Sequence, residues 1–134
     1  MTKGDLELIR DIEKNITLKK QELEALRYKA SGAGAIRYDK EHVQSSPEDY
    51  FVMAIADVVE IEKQIKEAED NMEKSKGAAY AIIRKMEKPD QRTMLEWYYL
   101  NGVSMLEICD RMNLSERTAY YLRDESLEEF ESVQ

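Results

Sequence analysis

A short run near the C-terminus concentrates side chains whose types suit the recognition of nucleic acid. Arg117 is the best candidate for reading a base, because a guanidinium donates two hydrogen bonds to O6 and N7 of guanine. Ser115 suits a phosphate if it begins a helix, since free N–H groups at a helix N-terminus attract anions. The outward positions of such a helix are Ser115, Glu116, Arg117, Tyr120, Tyr121 and Asp124, with Arg123 beside them.

The two tyrosines of this run leave two interpretations open. Tyr120 and Tyr121 both contact phosphate, sugar or a thymine methyl group, or one of them packs into the core and the other lies exposed.

Residues that support catalysis or metal binding are sparse in the chain. His42 is the single histidine and Cys109 the single cysteine, so the sequence holds no metal-ligand spacing and no internal disulfide. The glycine-rich residues 31–35 (SGAGA) lack the lysine and the preceding strand of a phosphate-binding loop. We therefore expect no enzyme activity, no catalytic residue, no cofactor and no metal.

The composition favours a protein made of long surface helices. The 134 residues are 36% charged and include only five Gly and two Pro. Acidic residues number 28 against 20 basic ones, and the net charge of −8 means that any binding to nucleic acid must be local. No apolar stretch approaches the roughly 20 residues of a membrane span, and no signal-peptide core is present. We expect an all-α protein in the cytoplasm, with no membrane partner.

Two long amphipathic helices, joined by a polar loop, are predicted in residues 1–88. The first covers about residues 5–30, with Lys19 as the one polar interruption of its apolar stripe. Residues 31–46 form a polar loop, and Pro47 is typical of the first helical position. The second helix runs to about Glu87. Its seam has steps of three and four: Phe51, Ala54, Val58, Ile61, Ile65, Ala68, Met72, Ser75, Ala79, Ile82 and Met86.

The seam allows two arrangements of residues 1–88. Either the first helix folds back on the second as a hairpin, or copies of the chain associate through the seam of helix 47–87, with or without the hairpin. We expect a helical hairpin or coiled-coil stalk and a homo-oligomer.

The spacing of capping and small residues predicts a helix-turn-helix in residues 89–134. Ser104 caps a helix in a capping-box pattern, Asn113 suits a turn with positive φ, and Ser115 caps the next helix. Small Cys109 and Ala119 lie where two helices must cross closely, although an unrelated three-helix core stays possible. The expected inner face consists of Ile108, Cys109, Met112, Thr118, Ala119, Leu122, Leu127 and Phe130.

Residues 91–127 resemble region four of the sigma-70 family, which reads the −35 promoter element. The run YYLNGVSMLEICDRMNLSERTAYYL follows the family order of Tyr-Leu-x-Gly, Ser-x-x-Glu-Ile-Ala, a glycine turn and Ser-x-x-Thr-Val. Cys109, Asn113 and Ala119 replace the usual Ala, Gly and Val. The resemblance implies that the second helix faces double-stranded DNA through Ser115, Glu116, Arg117, Tyr120 and Tyr121.

From about Leu26 to Leu127 the chain is also similar to ArpU/RinA-like late transcriptional regulators of Gram-positive phages and prophages. The similarity lies in the order of a helix, the loop RYDKEHVQSSPED at residues 37–49, a long charged helix and a sigma-like helix-turn-helix. It implies transcriptional regulation of phage late genes inside a bacterial host cell.

Three functions fit these patterns. The leading hypothesis is a DNA-binding phage regulator, whose helical stalk sets the number of copies. Residues 89–134 carry four arginines and ten acidic residues, a net charge of −6, and this favours a module that binds RNA polymerase or another regulator. A small terminase-like packaging component also joins a helix-turn-helix to oligomerising helices.

Overall fold

The described part of the chain consists of helices joined by short connections. The structure is a computed structural model that describes residues 1–30 and 47–134, with side chains from residue 52 onward in the second range. Those residues contain no strand, which confirms the predicted all-α fold class. The helices are α1 (Lys3–Ala30), α2 (Pro47–Ile83), α3 (Pro89–Leu95), α4 (Met105–Met112) and α5 (Glu116–Ser132).

The contacts divide the chain into two compact units. One, the hairpin unit, is residues 15–70; the other, the C-terminal unit, is residues 1–14 with residues 71–134. The division into domains 1–88 and 89–134 stays a prediction, since compactness does not test which segments fold independently. The predicted polar loop 31–46 and the Phe51 side chain lie outside the described residues.

In the hairpin unit, the second half of α1 lies antiparallel to the first half of α2. Arg27 Nη2 lies 2.7 Å from Glu62 Oε1, and Lys20 Nζ lies 3.1 Å from Glu69 Oε1. The pair that lies nearer the end of α1 therefore lies nearer the start of α2, as in an antiparallel helical hairpin. The buried apolar residues of this unit are Ile16, Leu23, Ala54, Ile61 and Ile65.

Lys19, the polar interruption of the α1 stripe, has a polar partner on α2. Its Nζ donates a hydrogen bond to Gln64 Oε1 at 2.8 Å, and its side chain is half-buried. Burying a charged group without a hydrogen-bond partner is costly, and here the neighbouring helix supplies the acceptor.

The core of the C-terminal unit joins segments that are far apart in sequence. The start of α1, the end of α2, α3 and α5 each contribute apolar side chains to it, and burial of this apolar surface drives their association. Its buried members are Leu6, Ile9, Ala79, Ile83, Met86, Leu95, Tyr99, Leu100, Leu127 and Phe130.

Helix α2 ends at Ile83, and the sequence prediction of about Glu87 was wrong by one turn. Pro89 is the first residue of α3, and Lys88 before it is extended, with φ −84° and ψ 120°. The chain must therefore leave the helix several residues before the proline in order to change direction. Arg92 stabilises this connection, because its Nη1 donates to the carbonyl oxygen of Met86 at 2.7 Å.

Helix α3 continues into a π-helical turn, Glu96–Leu100, that the sequence did not predict. The Asn101 N–H donates to the carbonyl of Glu96 at 2.9 Å and closes the turn. Gly102 follows with φ +66°, a conformation that favours glycine, so the chain turns at Asn101-Gly102.

Candidate nucleic-acid interface

Helix α4 begins at the predicted cap. Ser104 is extended, and its Oγ accepts a hydrogen bond from the Glu107 N–H at 3.2 Å. The Glu107 carboxylate accepts from Arg111 Nη2 at 2.8 Å, one turn further along. The serine half of the predicted capping box is therefore formed, while the glutamate supports the helix through an i, i+4 ion pair.

The turn between α4 and α5 has the predicted backbone conformation. Asn113 has φ 59° and ψ 44°, the left-handed region that asparagine tolerates better than most residues. The Leu114 N–H donates to the carbonyl of Cys109 at 2.9 Å, which satisfies an acceptor at the end of α4. Ser115 then caps α5, since its Oγ accepts from the Thr118 N–H at 3.2 Å.

A small core holds the two helices together. Its buried residues are Met94, Met105, Ile108 and Ala119, and half-buried Cys109, Met112, Leu114 and Leu122 pack against it. Ala119 is 0% exposed, as expected for a small residue at a close helix crossing. Thr118 is exposed, so its predicted place on the inner face was wrong: its Oγ1 accepts from Ser115 Oγ at 2.8 Å instead.

The predicted outward residues lie at the surface, with one difference. Six are exposed: Ser115, Glu116, Arg117, Tyr120, Tyr121 and Asp124. Tyr120 is 38% exposed and Tyr121 56%, so neither tyrosine is buried in the core. Arg123 is half-buried, with 21% of its side chain exposed. The six exposed residues lie on the first turns of α5 and at its cap, and this surface is called the predicted edge below. Its contact with DNA stays a prediction.

Arg117 contacts an aromatic side chain one turn along α5. Its Nη2 donates to the Tyr121 hydroxyl at 3.4 Å, and its guanidinium carbon lies 5.6 Å from the Tyr121 ring centroid. Both groups are exposed, so this contact orients the guanidinium without withdrawing it from solvent.

The other arginines of residues 89–134 are engaged in internal contacts. Arg92 donates to backbone carbonyls, Arg111 pairs with Glu107 and lies 5.1 Å from the Trp97 ring centroid, and Arg123 pairs with Asp124 at 3.0 Å. Arg117 is therefore the arginine of this segment that contacts neither a carboxylate nor a backbone carbonyl in the described residues. The predicted edge carries little positive charge beyond this one group.

Arg123 lies between two tyrosine rings. Its guanidinium carbon is 4.9 Å from the Tyr120 centroid and 5.8 Å from that of Tyr98. Desolvation lowers its pKa, but hydrogen bonding to Asp124 and nearby negative charge outweigh this, and the net pKa is raised. Arg123 is thus a charged structural residue at the base of the edge. The sequence analysis placed Arg123 beside the outward residues but did not predict that it is half-buried.

Tyr99 lies behind this edge, in the core of the C-terminal unit. Burial raises the pKa of its hydroxyl to about 12, and the Arg123 charge opposes that rise. Tyr98 stacks edge-on against it, with the centroids 4.8 Å apart. The sequence analysis did not predict that these two rings pack against each other.

The contact between Arg10 and Tyr98 escaped the sequence analysis. Arg10 Nη1 donates to the carbonyl of Tyr98 and, at 3.3 Å, to that of Val103. Its guanidinium carbon lies 3.9 Å from the Tyr98 ring centroid. A long-range pairing of this kind leaves no local signal, because Arg10 reads as an ordinary polar position of an amphipathic helix.

These helices define the class of the molecule as an all-α protein in whose C-terminal unit two capped helices, α4 and α5, are joined by a turn at Asn113. The chain belongs to the DUF1492 family, described as a protein of unknown function, whose model matches residues 39–131. Comparison with curated proteins and with solved structures gave no match. Within the described residues, no helix is long and apolar enough to span a membrane, and no group of three metal-binding side chains occurs.

Proposed function

We propose that the protein binds double-stranded DNA through the first turns of α5 and acts as a transcriptional regulator. The observation that carries the proposal is the turn at Asn113, with φ 59°, which directs α5 so that Ala119 is buried and Arg117 is exposed. A helix held in this way can enter the major groove with its N-terminal residues at base edges.

In this proposal each outward residue has a distinct role. Arg117 donates to a guanine edge, while Ser115 and the N-terminus of α5 bind a phosphate. Tyr120 and Tyr121 contact phosphate, sugar or a thymine methyl group. Glu116 and Asp124 discriminate against wrong bases, because a carboxylate accepts only from a base amino group such as that of cytosine.

The biological setting forms the finer part of the proposal. The DUF1492 family is associated with phages, which supports a phage or prophage regulator acting in the cytoplasm of a bacterial host. The resemblance to ArpU/RinA-like regulators refines this to the control of late genes. A homo-oligomer would help an acidic protein to bind DNA, because linked copies raise the effective concentration of each site.

A selection from random DNA duplexes tests the proposal and requires no candidate operator. We expect the full chain to enrich a defined sequence, and fluorescence anisotropy to give salt-sensitive binding to it. Arg117→Ala should abolish the specific complex and leave the helix content unchanged. Arg84→Ala removes the same charge from an exposed position outside the edge and should bind as the wild type does. Failure to enrich any sequence would refute DNA recognition.

A second candidate function is favoured by the charge of residues 89–134. Ten acidic residues against four arginines, three of them internally engaged, suit a module that binds a basic protein surface, such as one on RNA polymerase or another regulator. A pull-down with purified polymerase core separates the two functions, because this candidate requires binding in the absence of DNA.

A further inference from the structure

An open groove lies in the C-terminal unit beside the predicted DNA-reading edge. Its volume is about 450 Å³, and the start of α3, the end of α4 with the following turn, and α5 line it. Met112, Leu114 and Leu122 form the apolar part of its wall. Each is half-buried, because one side packs on the helix-turn-helix core while the other faces the groove.

Two carboxylates also line this groove. Asp90 comes from the first turn of α3 and Glu125 from the middle of α5, and both are exposed. Neither forms an ion pair with a described residue. Thr118 and Tyr121 complete the lining, which contains no basic side chain. The groove therefore offers an apolar surface together with two negative charges that have no counterion among the described residues.

We propose that this groove binds a basic amphipathic helix of a partner protein. An aliphatic side chain of the partner packs on Leu114 and Leu122, and lysine or arginine side chains on either side pair with Asp90 and Glu125. This is the helix-in-groove mode of recognition, in which apolar anchors give affinity and flanking charges select the partner.

The charges of the groove decide among its possible occupants. A DNA phosphate is repelled by the two carboxylates, and the C-terminal unit of a second copy carries an excess of acidic residues that repels it as well. A basic partner is attracted from a distance and gains its contacts on arrival. The inference does not depend on DNA binding, although Tyr121 borders both surfaces.

A synthetic peptide probe tests the groove in the full chain. The probe is helical and about four turns long, with leucine at helical spacing on one face and lysine and arginine elsewhere. We expect it to shift the backbone amide resonances of Asp90 and of residues 112–125 in the NMR spectrum. Glu125→Lys should weaken binding about tenfold, since it replaces an attraction with a repulsion at the rim.

Asp110→Lys provides the matched control. Asp110 is exposed on α4 and does not line the groove, and two positions of helix separate it from Met112, so it lies on a different face. The variant changes the net charge by the same amount and should weaken binding less than about twofold, because only long-range attraction is reduced.

Several outcomes would overturn the groove proposal. These are equal weakening by Asp110→Lys and Glu125→Lys, equal binding of a peptide with serine in place of leucine, amide shifts confined to residues away from both Asp90 and residues 112–125, or no binding. Amide shifts at Leu122 and Glu125 caused by a DNA duplex in the Arg117→Ala variant, which should no longer bind DNA through α5, would also overturn it. Arg117→Ala should keep peptide binding and lose DNA binding, so failure of one proposal is distinguishable from failure of the other.

Discussion

At the scale of single residues, the backbone of Asn113 decides how α4 and α5 are joined. Its φ of 59° costs a residue with an ordinary side chain about 1 kcal/mol, which asparagine and glycine largely avoid. We expect Asn113→Ala to lower the free energy of unfolding by about 1 kcal/mol, measured by urea denaturation. Asn113→Gly should leave it nearly unchanged. Equal destabilisation by both variants would show that the asparagine side chain, rather than its conformation, matters.

The buried hydroxyl of Tyr99 predicts a loss of stability in alkali. Its pKa is raised to about 12 in the folded chain, against the ordinary value of 10.0, so the folded state holds this proton more tightly than the unfolded state. The associated stabilisation is complete below pH 10 and disappears between about pH 10 and 12. Its size is on the order of 2 kcal/mol.

Unfolding measured by urea between pH 9 and 12 tests this prediction. Tyr99→Phe should flatten the decline in stability over that window. A smaller decline should persist, because burial also raises the pKa of Tyr80, which lies in the same unit. A decline of undiminished size in the phenylalanine variant would exclude Tyr99 as its source.

At the scale of elements, the start of α1 is fastened to the turn that follows α3. Arg10 donates to the carbonyls of Tyr98 and Val103 and stacks on the Tyr98 ring. We expect Arg10→Ala to lower the free energy of unfolding by about 2 kcal/mol, because two carbonyls lose a charged donor. Trp97, the single tryptophan, gives a fluorescence signal from the affected unit.

Two other substitutions show whether geometry or charge is responsible. Arg10→Lys keeps the charge but lacks the planar fork, and it should recover less than half of the loss. Lys14→Ala removes a charge from an exposed position of the same helix and should change little. Full recovery by lysine would contradict the importance of the two-carbonyl contact.

The elements also show which features a sequence can predict. The caps at Ser104 and Ser115 and the turn at Asn113 depend on residues close in the chain, and the structure has them as expected. The π-helical turn after Leu95 and the end of α2 at Ile83 depend on tertiary packing. Periodicity alone cannot detect these, because the same apolar spacing is compatible with a continuous helix.

At the scale of the whole molecule, the arrangement of the two long helices was the open question. The predicted seam of α2 is buried or half-buried within the described residues, as at Ala54, Ile61 and Ala79. Contacts within one chain therefore bury this seam, whereas the sequence allowed either a hairpin or a second copy of the chain to bury it. Self-association through this seam stays a prediction. The exposed positions of α5 could be predicted because exposure on a capped helix follows from its period, whereas their role as a binding site stays a prediction.

Because the chain is acidic, we expect few of its basic groups to contact DNA phosphates, and the salt dependence of DNA binding measures how many do. If α5 binds through Arg117 and its N-terminus alone, with Arg117 on a guanine edge, about one phosphate is neutralised, and log K should fall with log salt concentration at a slope of about −1. Arg117→Ala should remove the preference for the selected sequence and leave the slope of the residual binding nearly unchanged. Anisotropy titrations at several salt concentrations measure both values.

A much steeper slope would mean that basic groups outside α5 reach the DNA backbone. Arg27 and Lys29, at the end of α1, are candidates for such groups. They lie in the same basic stretch of the sequence as Arg37 and Lys40. Alanine at Arg27 and Lys29 should leave the slope unchanged if α5 acts alone, because counterion release counts only those charges that meet phosphate. A shallower slope in that variant, with Arg117→Ala binding the selected sequence as tightly as the wild type does, would move the DNA contact from α5 to the end of α1.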